Sequence, residues 1–126
     1  MENYILEATK YSPYIELDSE LGILKITGNS YPENALELYQ PLFMKIDEFF
    51  ADEKKKLYIA LQIDYLNTSS SKMLIDLFFK LSSYFDQGHE ISADWRYPED
   101  DEDYREQCQM FFEDVNFPFK LIGIAY

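Results

Sequence analysis

From Leu57 to Tyr65 the chain alternates Leu57, Ile59, Leu61 and Ile63 with Tyr58 and Ala60, so an extended backbone would present apolar side chains to both sides. A strand apolar on both faces needs cover on both faces, which predicts a central strand in an α/β sheet. Asn67-Thr68-Ser69-Ser70-Ser71 then breaks the run. Leu74, Leu77, Phe78, Leu81, Tyr84 and Phe85 follow at helical spacing, ended by Gly88 in the position after the C-cap.

The rest of the chain fits around this unit. Tyr4 to Ala8 and Tyr14 to Leu17 read as short strands, Asp18 to Gly22 as a turn, and Ile23 to Thr27 as a third strand closed by Gly28-Asn29. Ser30-Tyr31-Pro32-Glu33 has capping-box spacing, which makes Ser30 the expected N-cap of a helix with Ala35, Leu38, Leu42, Ile46 and Phe49 on its apolar face. Pro41 inside that pattern is expected to kink or divide the helix. Ile91, Ala93, Trp95 and Tyr97 alternate inward on a further strand that Pro98 stops. The acids from Glu99 to Asp103 suit the positive end of a third helix, with Tyr104, Cys108, Phe111, Phe112 and Val115 on its apolar face. Phe119 to Tyr126 is the last strand. The order β-β-β-α-β-α-β-α-β predicts one α/β domain over residues 1–126, with a mixed sheet and three helices.

Composition narrows function. With 126 residues, 47% of them hydrophobic and 17% aromatic, the chain can bury a core. Its net charge of −13 opposes binding to nucleic acid or to an anionic membrane surface, and no apolar run is long enough to span a bilayer. Cys108 is the only cysteine and the N-terminus lacks a signal-peptide core, so a reducing, cytoplasmic setting is expected. His89 is the only histidine; with no nucleophile–base pair and no metal-ligand spacing, neither catalysis nor a resident cofactor or metal is expected.

The segment that carries chemistry is Asp64 to Lys72. Four consecutive hydroxyls, Thr68, Ser69, Ser70 and Ser71, stand between a strand and an amphipathic helix. Unpaired N–H groups and the helix dipole stabilise negative charge at such a start. A phosphate bound there, or made covalently on a hydroxyl, would exploit this, whereas Asn, Thr and Ser also stand at helix starts simply as caps. The glycines of a P-loop are missing and Lys72 is not in its pattern. Asp64 is placed to orient an acceptor hydroxyl or to meet a kinase-bound cation. The competing reading is a constitutive scaffold or small-ligand-binding domain in which Thr68 only caps. Asp100, Asp101, Glu102 and Asp103 do not follow an EF-hand loop; they read as a solvated helix start and, secondarily, with Tyr31, as a partner-binding surface.

Ala8-Thr9-Lys10-Tyr11-Ser12-Pro13, Gly28 to Ala35, Tyr39-Gln40-Pro41-Leu42, Leu66 to Lys72, Trp95-Arg96-Tyr97 with Asp100 to Asp103, and Pro118-Phe119 together resemble the SiaC-like regulatory phosphoproteins over nearly the whole chain. The resemblance implies a fold similar to STAS domains, the anti-sigma-factor-antagonist type, and a role as a protein switch in place of an enzyme. It implies that a dedicated protein kinase, bringing ATP and Mg²⁺, phosphorylates Thr68. A PP2C-type phosphatase would reverse this, and the unmodified form would bind and activate an effector such as a diguanylate cyclase.

Overall fold

The computed structural model describes residues 2–51 and 53–125. Nine elements follow in chain order: β1 (Tyr4–Leu6), β2 (Tyr14–Asp18), β3 (Ile23–Ser30), α1 (Ala35–Phe49), β4 (Lys56–Leu66), α2 (Thr68–Asp86), β5 (Glu90–Pro98), α3 (Glu102–Phe111) and β6 (Phe119–Ile124). This is the expected order. Tyr126, the end of the expected last strand, lies outside the described residues.

The six strands form one sheet in sequence order, antiparallel from β1 to β3 and parallel from β3 to β6. The β2–β3 turn is shaped by Asp18, whose carboxylate accepts from the Glu20 and Leu21 amides at 3.0 Å, and by Gly22 at φ 68°. A Cβ on Gly22 would meet the Lys56 carbonyl oxygen at 2.3 Å, so glycine is required both by its conformation and by the close approach of β4.

Each helix returns the chain to the next parallel strand in the same direction, and right-handed crossovers then put all three helices on one face. The burial follows. Leu57, Ile59, Leu61 and Ile63 of β4 are 0% exposed and join Leu24, Ile26, Ile91 and Trp95 beneath the helices. Tyr58, Ala60 and Gln62 on the other side are only half-buried. β4 is therefore covered on one face, not on both as its composition suggests. Tyr58 explains the misleading signal. Its ring lies on the open face, where its hydroxyl donates to Asp94 Oδ2 of β5 at 2.6 Å, so an aromatic residue there has a polar partner.

Two expectations around α1 change. Ser30 is not the N-cap: β3 runs past Gly28 through a register shift between Gly28 and Asn29 and ends at Ser30, and Asn34 caps α1 by accepting from the Glu37 amide at 3.1 Å. Pro41 does not divide the helix, which continues to Phe49. Pro41 is exposed, so the Glu37 carbonyl that loses its amide partner there can be satisfied by water. At its other end α2 closes as expected: the Gly88 amide bonds the Phe85 carbonyl at 3.0 Å and the His89 amide the Tyr84 carbonyl at 3.2 Å, with Gly88 at φ 103°.

Candidate functional site

Because β3, β4 and β5 are parallel, α1, α2 and α3 all begin along the edge where these strands end. In open α/β sheets this carboxyl edge is where ligands and partners gather, since helix N-termini converge there. Three helix starts stand side by side, and that of α2 is in the middle.

Asn67 organises the α2 start. Its amide donates to the Ser30 carbonyl at 2.9 Å and its side-chain nitrogen to the Pro32 carbonyl at 3.3 Å. Its side-chain oxygen accepts from the Ser70 amide at 2.9 Å and from the Ser69 hydroxyl at 3.2 Å. Asn67 is thus the N-cap and also ties α2 to the segment leading into α1. Thr68 is the first residue of α2 and is exposed, as are Ser69, Lys72 and, at the end of β4, Asp64. The Thr68 and Ser69 amides precede the first intrahelical bond and point out of the helix start. Among the described residues there is no acid in the first turn of α2, so nothing in that turn offsets the positive end of its dipole.

Ser70 has a different position. It is fully buried, and Ser30 Oγ donates to its hydroxyl at 2.7 Å while lying 2.7 Å from the Tyr39 hydroxyl. This chain joins β3, α1 and α2 within the first turn of α2, two residues after Thr68. Burial raises the Tyr39 pKa above its ordinary value, and the two serine hydrogen bonds pull it partly back. Ser70 is thereby withdrawn from solvent as a reactive hydroxyl; Ser71 is half-buried. The Ser30–Tyr39 link escaped the sequence reading, yet it left a signal: Ala35, Tyr39, Leu42, Ile46 and Phe49 follow the four–three spacing of a buried helical seam, with Tyr39 taking the place given to Leu38.

The other candidates flank Thr68 from opposite sides. Tyr31 is half-buried, edge-on to Tyr11 at 5.5 Å and to Tyr65 at 5.6 Å between ring centroids, so three tyrosines bridge from the N-terminal segment to the end of β4. Beside them opens a groove of about 1260 Å³ lined by Tyr4, Tyr11, Tyr31, Glu33 and Glu37 among others. On the far side Asp101 caps α3, accepting from the Tyr104 amide at 3.0 Å, with Glu102 and Asp103 in the first turn and Asp100 exposed just before. The Tyr104 hydroxyl donates to the Ile63 carbonyl and fastens this start to β4.

His89 and Cys108 are both buried, and His89 lies away from this edge. His89 stands at the start of β5, at the other end of the strands, and its Nδ1 accepts from the Lys55 amide at 3.1 Å. Burial pushes the Cys108 thiol up to about 12, which keeps it protonated and unreactive. Among the described residues no group of three His, Cys, Asp or Glu side chains is placed to hold a metal ion, and no helix is long and apolar enough to cross a membrane.

The sequence matches the SiaC family of regulatory phosphoproteins over residues 6–124. It is 34% identical to an uncharacterised protein of Pseudomonas aeruginosa strain UCBPP-PA14 over 121 residues, 96% of each chain. Its structure is similar to that of SiaC in the crystal structure of the Pseudomonas aeruginosa diguanylate cyclase SiaD in complex with its activator SiaC, with a TM-score of 0.92 and 33% identity over 96% of this chain and 99% of that one. It is equally similar to apo-SiaC of Pseudomonas aeruginosa, at TM-score 0.91 and 33% identity over 98% of this chain and 100% of that one.

Proposed function

The chain belongs to the SiaC family of regulatory phosphoproteins, and from that premise we propose that it is a cytoplasmic protein-binding switch set by phosphorylation of Thr68. A partner kinase bringing ATP and Mg²⁺ transfers the γ-phosphoryl group to Thr68 Oγ1. The new P–O bond forms as the bond to ADP breaks, and the hydroxyl proton leaves to a base of the kinase. A PP2C-type phosphatase returns the hydroxyl by hydrolysis, releasing inorganic phosphate. The unmodified form binds and activates an effector. By its similarity to the SiaC that activates a diguanylate cyclase, we propose that this effector is also a diguanylate cyclase.

The observation that carries the reading is the exposed Thr68 hydroxyl at a helix start with no acid in its first turn. A phosphoryl group adds about −1.5 to −2 charges and three strong acceptors. The Thr68 and Ser69 amides and the α2 dipole favour it in the free protein. In a complex it would have to be stripped of water at the contact, which opposes docking. Asn67 and Ser70 hold the start rigid, so the charge appears at a fixed point. Tyr31, with its groove, and the acids Asp100, Asp101 and Asp103 supply contact surface on either side.

Calorimetric titration of the effector with unmodified chain and with chain stoichiometrically phosphorylated at Thr68 tests this. The expected result is at least about a tenfold weaker affinity for the phosphorylated form, near 1.4 kcal/mol. Equal affinity would favour a constitutive scaffold in which Thr68 only begins a helix.

A further inference from the structure

A second surface starts from the same helix. Thr68, Ile75 and Phe79 are spaced i, i+7 and i+11, within about 20° of one line along α2. Ile75 is 42% exposed, Phe79 56%, and Met110, facing them from α3, 65%. Two adjoining hollows of about 290 and 240 Å³ share Ile75, Met110 and Phe111. The first reaches Leu66 and Ser71 beside the Thr68 end; the second runs past Phe79 to Glu113 and Asp114. The result is a furrow along the α2–α3 seam, apolar on its floor and acidic at one end, with no Lys or Arg among its lining residues.

We propose that this furrow receives an amphipathic helix of a partner protein, its apolar residues seated between Ile75, Phe79 and Met110 and its basic residues over Glu113 and Asp114. Backbone chemistry selects a helix. The furrow is walled mainly by side chains of α2 and α3, with Leu66 at one end and Glu113 to Val115 at the other, and lies away from the sheet's edge strands, so an extended segment would leave its own N–H and C=O groups unpaired, whereas a helix satisfies them internally. Its length fits as well: from Ser71 to Phe79 the seam runs about 12 Å, enough for anchors on successive turns. Charge selects a basic partner. A second copy would bring the same carboxylates and the same −13 charge against this rim, and an anionic membrane would be repelled by it. The inference does not depend on Thr68 being modified.

The test uses the full chain and two fluorescent helical peptides, one of Leu and Lys with Leu at i, i+3, i+4 and i+7, the other with Glu in place of every Lys. Fluorescence anisotropy is expected to show binding of the Lys peptide and at least about tenfold weaker binding of the Glu peptide. The Phe79→Ser/Met110→Ser variant, changed only at exposed positions, should lose the Lys peptide by a similar factor with an unchanged circular dichroism spectrum. The Glu113→Lys/Asp114→Lys variant should reverse the preference. The proposal is overturned if the Lys peptide fails to bind, if it binds the Phe79→Ser/Met110→Ser variant equally well, or if the unmodified chain sediments as a dimer that this variant dissociates. The last outcome would give the furrow to a second copy.

Discussion

The α2 and α3 starts lie next to each other on one edge of the sheet and treat the same physical problem in opposite ways. α3 begins with Asp101 as cap and Glu102 and Asp103 in its first turn, so its positive end carries permanent negative charge. α2 begins with Asn67 as cap and with Thr68, Ser69 and Ser70, all uncharged. Each cap satisfies one amide of its first turn, that of Tyr104 in α3 and that of Ser70 in α2. Only the α2 start leaves room for charge to be added and removed, and it does so on a hydroxyl that solvent reaches. On the proposed reading, the contrast puts the switch at the α2 start, in a chain whose overall acidity says nothing about where a switch sits.

The comparison can be broken most severely at Thr68. Thr68→Ala should abolish phosphoryl transfer by the kinase while the fold is retained, and Asp101→Ala should leave transfer intact; radiolabel incorporation from ATP reads both. Next comes the buried hydroxyl chain that supports the α2 start. Ser30→Ala strands the Tyr39 and Ser70 hydroxyls without the partner they share and should cost about 1–3 kcal/mol in urea unfolding at unchanged m-value. A loss below about 0.5 kcal/mol would mean that the start does not depend on this chain.

The caps give a finer test. Asn67→Ala and Asp101→Ala should each cost about 1 kcal/mol. The Asp101 loss should shrink when ionic strength is raised, because part of it is charge on a dipole, and the Asn67 loss should not. The smallest effect runs the other way. Ser69→Asp gives α2 the acid that α3 already has and should stabilise the protein by about 0.3–1 kcal/mol at low salt. Destabilisation there would contradict the claim that this start favours negative charge.

Much of this arrangement was legible in the chain. The nine elements, the Gly88 helix stop and the inward set of Ile91, Ala93, Trp95 and Tyr97 follow from periodicity and turn chemistry, because local spacing dictates which side chains share a face. What was hidden depends on distant neighbours. Tyr58 reads as buried until Asp94 of the next strand is seen to hold its hydroxyl on the open face. Ser30 reads as a cap because its spacing to Glu33 is right, but the strand continues to it and its hydroxyl turns inward to Ser70, forty residues away. Thr68 to Ser71 stand out as a group by their place after a strand, only the family resemblance points to Thr68 among them, and its exposure beside a buried Ser70 separates two hydroxyls that look alike in sequence. The furrow between α2 and α3 left little trace, since Ile75, Phe79 and Met110 read individually as ordinary apolar helix residues.

The most direct test of the central claim is mass spectrometry of the protein purified from its native host, before and after phosphatase treatment, with fragmentation to locate any modification. The account predicts a species heavier by one phosphoryl group, lost on treatment and mapped to Thr68. Phosphate on a different residue, or no such species under any growth condition, would contradict it.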